Sequence, residues 1–314
     1  MKTRTRAAGR PLAFVFAAFA TLSSSVAYAQ QDGARGYMLG PEGVHAVLLI
    51  GTYMSANQAT PTGLVVVGSG ISSNVTAVQY VVPLTLFGRS ASIFPVLPIG
   101  TITGSVESGG TTVSNGSSGL GDLVVGGFMG LVGMPALSPE KYVAHTPGFS
   151  LAALAVVMAP TGEYNATRIF NFGTNRWTFR AGFPMSYTLG QSFVDPHLTT
   201  FELKPTMTFY TANDAPYGAD RQAQDPLFEL EGHVTRNLNG KFWIAADAMY
   251  QHGSGTSTDG VGDGNTRMNL NVGATVGASI NASMQLRVSY AHSIAHNDFG
   301  MQGEGARIML IGAF

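Results

Sequence analysis

The sequence predicts an all-β protein: a transmembrane, antiparallel, up-and-down β-barrel of about twelve strands, with short periplasmic turns and longer external loops. Three observations predict it. The 314-residue chain holds 40 glycines and is 45% hydrophobic, yet only 11% of its residues are charged, against roughly 25% in soluble globular domains. Beyond an N-terminal export segment, no run approaches the ~20 apolar residues that a spanning helix needs. Several segments of strand length instead alternate apolar and polar residues, as a strand between lipid and a polar lumen must.

The export segment comes first. Lys2, Arg4, Arg6 and Arg10 form a basic head, Leu12 to Leu22 is an apolar run too short to span a bilayer, and Ala27-Tyr28-Ala29 offers small residues at −3 and −1. Residues 1–29 therefore read as a cleaved signal peptide, and 30–314 as one barrel domain of an outer membrane. Cleavage removes four of the 17 basic residues and none of the 18 acidic ones. With no cysteine, disulfides, Cys-zinc and haem-thiolate sites are excluded. The near balance of charge gives no footprint for nucleic acid.

The strands follow in order, near 42–54, 74–87, 90–106, 119–134, 147–159, 176–190, 199–210, 225–237, 241–252, 266–280, 282–293 and 304–314. The cleanest is 282–291, where Ala282, Met284, Leu286, Val288 and Tyr290 alternate with Ser283, Gln285, Arg287 and Ser289. The segments 268–280, 201–210, 177–187 and 228–235 alternate likewise. Those near 42–54 and 147–159 alternate poorly and rest on length and flanking turn residues. Short connections fall at Gly88-Arg89, Asn239-Gly240 (a type I′ hairpin signal) and Asn281. Long ones rich in Gly, Ser, Asn and Asp span 55–73, 107–118, 161–175, 211–224, 253–265 and 294–303. The two classes mostly alternate, and an even strand count puts both termini on the periplasmic side. The final strand closes on Phe314, an aromatic terminus like the assembly signal of outer-membrane barrels. Trp177, Tyr250 and Phe242 sit where interfacial girdles are expected.

Three patches resemble a known family. Gly119-Leu120-Gly121-Asp122 opens a strand, Pro160-Thr161-Gly162-Glu163-Tyr164 closes the fifth, and Asn171-Phe172-Gly173-Thr174-Asn175-Arg176-Trp177 leads into the sixth. They are similar to the family called putative MetA-pathway of phenol degradation. The resemblance implies an outer-membrane barrel of transporter type, and no catalytic residues to carry over.

With apolar positions facing lipid, the lumen is expected to carry Asp122, Arg180, Glu202, Lys204, Glu229, Glu231, His233, Asp247, Arg287 and Arg307. Such groups either set the selectivity of a constriction or form a paired network that fills the barrel. The stretch from Gln30 to the first strand is too short for a plug domain, so a constriction is expected from inward side chains or an infolded loop. His292 and Ser293 are adjacent on a strand and point to opposite faces, which argues against a hydrolase site. Asp259 and Asp263 lack the spacing of a calcium loop.

The chain thus reads as a passive channel for small hydrophobic or aromatic molecules, not an enzyme, with no cofactor and no metal. Expected partners are outer-membrane lipid, the permeant, and barrel-assembly machinery at the C-terminal strand. A closed structural or surface-interaction barrel is the alternative reading, and an outer-membrane lipid hydrolase a distant third.

Overall fold

The computed structural model describes residues 32–57, 69–108 and 111–314; the export segment and most of the 55–73 loop lie outside them. Along the chain run β1 (Ala46–Ala56), β2 (Ser69–Leu86), β3 (Arg89–Ser108), β4 (Thr111–Leu120), β5 (Leu123–Val132), α1 (Pro139–Ala144), β6 (Phe149–Ala159), β7 (Thr178–Gly182), β8 (Met185–Leu189) and β9 (Thr199–Tyr210). Then come β10 (Gln222–Gln224), β11 (Leu227–Asn237), β12 (Phe242–Gly253), β13 (Thr256–Thr258), β14 (Val261–Gly262), β15 (Arg267–Asn281), β16 (Met284–His296) and β17 (Gly303–Ala313).

These strands close into a twelve-stave antiparallel barrel in which β4 with β5, and β7 with β8, each make one interrupted stave. The seam is β17 against β1, in register from Ala46 opposite Ala313 to Ala56 opposite Gly303. Closure leaves no edge in the lipid, the condition for a sheet to cross a bilayer. Phe201, Phe209, Ile244, Val276 and Val288 stand exposed on the outer face, forming the apolar band that lipid covers.

Two residues cap the seam. Phe314 exchanges backbone hydrogen bonds with His45, and its ring stacks with those of His45 and Tyr80. The β2–β3 turn is formed by Phe87 and Gly88, both at positive φ, the pairing a tight hairpin prefers. At Leu238–Lys241 the expected I′ turn is replaced. Gly240 has no positive φ, and the Asn239 side chain accepts from the N–H groups of Lys241 and Phe242.

The staves depart from expectation at three further places. Residues 107–118 are mostly strand: β4 pairs with β3 from Ser108 opposite Thr111 to Ile99 opposite Leu120. That hairpin continues along β3 beyond its pairing with β5, and its Ser/Thr/Asn-rich strand lacks the apolar side that alternation would reveal. The 119–134 segment is broken at Gly121-Asp122, between β4 and β5. The 176–190 segment is broken at Phe183-Pro184, because proline has no N–H to give the ladder; the Pro184 carbonyl still accepts from Ala152. Outside the barrel, β10, β13 and β14 form a small sheet within the external loops.

Candidate functional site: a lumen with two unlike walls

Register fixes which residues face inward. On β9, β11, β12 and β15 the inward series is polar: Lys204, Thr206 and Thr208; Glu229, Glu231 and His233; Asp247 and Gln251; Asn269, Asn271 and Thr275. On β1, β2, β3, β5, β6 and β17 it is mostly apolar, with Leu48, Ile50, Val75, Val96, Val124, Val156, Met158 and Met309 facing the same space and Thr52, Ser73, Gln79, Ser92 and Arg307 interspersed. A cavity of about 480 Å3 runs along this apolar half. The poor alternation of 42–54 and 147–159 now has its cause: β1 and β6 are apolar toward lipid and apolar toward the lumen.

The polar half is occupied by the chain's own N-terminal segment, so the expectation that no plug precedes β1 is corrected. Arg180 donates to Asp32 at 2.9 Å, and Lys204 reaches Asp32 at 2.7 Å and Glu231 at 2.5 Å. The Gly33 N–H donates to Glu231 and the Arg35 N–H to Glu202. Arg35 Nε donates to Thr235, and its guanidinium lies 4.4 Å over Trp243. Arg287 donates to the Ala34 carbonyl at 2.8 Å. Tyr37 meets Phe128 edge-on across the lumen. Burial opposes ionisation of Asp32, but Arg180 and Lys204 outweigh it and hold the carboxyl well below the usual range. A short segment suffices as a plug because wall side chains meet the Gly33 and Arg35 N–H groups and the Ala34 carbonyl, and one turn pairs Gly36 with Gly33.

The three motif patches converge at the external end, around the break in the β4–β5 stave. Asp122, 3% exposed, accepts from the Gly162 N–H at 2.8 Å, the Thr174 N–H at 2.9 Å and the Thr174 hydroxyl. A Cβ on Gly162 would lie 2.7 Å from the Asp122 nitrogen, and one on Gly173 would lie 2.6 Å from the Gly162 carbonyl carbon. Gly121 likewise leaves room for Phe172 and Pro98. Asn171 ties its own loop to Asn165 and Arg168. Asn175, at positive φ, reaches Asn213, which donates to the Tyr164 hydroxyl. Gly119 meets Glu163, Pro160 begins the loop, and Trp177 stacks on Phe179 on the outer face. The loop 160–177 folds over the barrel mouth, and Phe170 and Phe172 pack on Ile71 and Ile102.

The structure thus divides the ten lumen candidates by partner. Arg180, Glu202, Lys204, Glu231 and Arg287 hold the plug. His233 links Glu231 to Asp247, which accepts from Thr275. Glu229 accepts from Gln251 and Thr208. Asp122 belongs to the loop knot, and Arg307 lines the apolar passage opposite Thr52. Sequence reasoning missed Asp32, Arg35 and Arg267. Extending the inward series of β15 by one step from Asn269 would have found Arg267. His292 is exposed outside while Ser293 is buried inside, so the two share no site. Asp259 accepts from the Arg221 N–H of the neighbouring external loop, and Asp263 from the Thr258 hydroxyl of its own.

A family profile described as putative MetA-pathway of phenol degradation matches residues 56–310. Among solved structures, the COG4313 outer membrane channel from Pseudomonas putida F1 is similar at a TM-score of 0.73 and 19% identity, covering 90% of this chain and 99% of that one. The β domain of the Bordetella autotransporter BrkA aligns at a TM-score of 0.48 and 10% identity, covering 86% and 99%. The NanC porin aligns at 0.44 and 9% identity, covering 85% and 98%. No curated protein matches the sequence.

Proposed function

The chain belongs to the family of the putative MetA-pathway of phenol degradation, and with its outer-membrane channel fold we propose that it passes small hydrophobic molecules, aromatic ones included, through its lumen without energy input. One observation carries this reading: half of the inner wall is apolar and faces a cavity instead of a packed core. Apolar surface facing water costs about 25 cal/mol per Å2, and barrels that conduct water present polar interiors. A wall of valine, isoleucine and methionine is therefore suited to a permeant that sheds water on entry. The polar half binds the plug, and the passage lies between plug and apolar wall.

Membership of a phenol-degradation family and likeness to an outer membrane channel support this reading. The test uses vesicles with lipopolysaccharide in the outer leaflet, which slows unaided entry of apolar solutes. Protein-dependent entry of toluene, with arabinose excluded, is the expected result. Ready passage of arabinose with no effect on toluene would replace the proposal with a hydrophilic pore. Entry of neither solute would favour the closed structural barrel, which the ion-paired plug makes the specific alternative.

A further inference from the structure

We propose that the external end of the passage is a head-group subsite, in which Arg267 receives the carboxylate of a small amphiphile whose apolar body lies along the passage wall. The proposal rests on the channel reading above and adds the charge of the permeant.

Arg267 opens β15 opposite Gly253 of β12, in the same row as Leu227 of β11. It is 3% exposed and lines the cavity. Its Nε has no hydrogen-bond partner, and among the described residues no carboxylate forms an ion pair with it. A buried guanidinium with no carboxylate in direct contact is costly, so the position asks for an anion. The protein's own anions along this cavity are committed elsewhere. Asp32 is taken by Arg180 and Lys204, and Asp122 by the N–H groups of Gly162 and Thr174. Glu229, one row deeper, accepts from Gln251 and Thr208 and attracts Arg267 from a distance without pairing with it.

The surroundings set the rest of the ligand. Leu227 stands in the row of Arg267, and Tyr210, Gln251, Met249 and Met301 line the same cavity. The passage then continues along Val75, Val96 and Met158. A carboxylate meets the planar guanidinium fork with two parallel hydrogen bonds, which an alcohol cannot do and an ammonium opposes. The cavity, about 480 Å3, suits a compact ligand. A phenol, with a pKa near 10, stays neutral at pH 7 and so behaves as the alcohol does.

The experiment is equilibrium dialysis of labelled 4-phenylbutyrate, 4-phenylbutanol and 4-phenylbutylamine against the full protein in phosphatidylcholine nanodiscs, with empty nanodiscs subtracted. Wild type is expected to bind the carboxylate about tenfold more tightly than the alcohol, and the amine most weakly. Arg267→Gln should bring carboxylate affinity down to that of the alcohol and leave alcohol affinity unchanged, while Arg267→Lys falls between. Heat-modifiable migration reports the folding of each variant, and the wild-type series stands by itself if a variant fails to fold. Equal binding of carboxylate and alcohol, or preference for the amine, overturns the subsite and leaves the hydrophobic passage intact. Binding of none of the three overturns the passage reading and the subsite with it.

Discussion

Asp122 shows how a motif residue can be structural although it points toward a lumen. A carboxylate at that position reads equally well as a pore charge, yet all the donors it meets belong to the 160–177 loop. Hydrogen bonds to a charged acceptor contribute about 1.5–3 kcal/mol each and are not additive. We expect Asp122→Ala to cost about 2–4 kcal/mol on that basis, read as a lower urea midpoint, and to open residues 160–177 to proteolysis. An unchanged midpoint with a protease-resistant loop contradicts the knot. Gly162→Ala should cost about 1–3 kcal/mol by overpacking, because its new methyl would meet the Asp122 backbone. The resemblance located these glycines, but their mutual packing was not legible, since it depends on three separate segments meeting at a broken stave. Arg267 was legible in principle as the next inward position of β15. The Asp32 and Arg35 contacts were not: their partners stand far along the chain, and no local periodicity encodes them.

At the scale of the element, alternation located the staves whose two sides face different media. β9, β11, β15 and β16 separate lipid from a polar, plug-bearing wall, so their sequences alternate cleanly. β1 and β6 separate lipid from an apolar passage and lose the pattern, so a strand-length apolar run with weak alternation is itself the sequence signature of the passage. Residues 107–118, most of β4, were expected as a loop for the opposite reason: a strand rich in Ser, Thr and Asn has no apolar side to show. Outward and inward substitutions should therefore separate. Val288→Arg, exposed on the lipid face of β16 and further from its periplasmic end, is expected to cost up to about 2–4 kcal/mol and to impair assembly. Val156→Thr, inward on β6, should cost less stability than that, because the hydroxyl it adds faces the cavity and not lipid, while slowing entry of toluene. Equal, small losses of stability and unchanged flux in both variants would refute this facing assignment.

For the whole molecule, the plug and the passage divide one barrel between them. The ion pairs of Asp32 couple the plug to Arg180 on β7 and Lys204 on β9, so plug docking is linked to protonation of that carboxyl. The sign follows from the depressed pKa of Asp32 in the docked state. Its contribution is fully present above the undocked value of about 3.9 and is lost as pH falls through the docked value. In a planar bilayer, small conductance should thus persist from neutral pH to about pH 4 and rise only in stronger acid. Asp32→Asn should give the larger conductance at neutral pH. Identical conductance for the variant and wild type at every pH would show that Asp32 does not hold the plug.

The passage itself is tested most directly by the entry of N-phenyl-1-naphthylamine into intact Gram-negative cells that carry or lack this protein, followed by its fluorescence in the membrane. Cells with the wild-type chain should take up the probe faster than cells without it, and Val156→Glu, which places a charge on the apolar wall, should remove the difference while the barrel still folds. Equal entry with and without the protein, or full activity in folded Val156→Glu, would contradict an apolar route through the lumen.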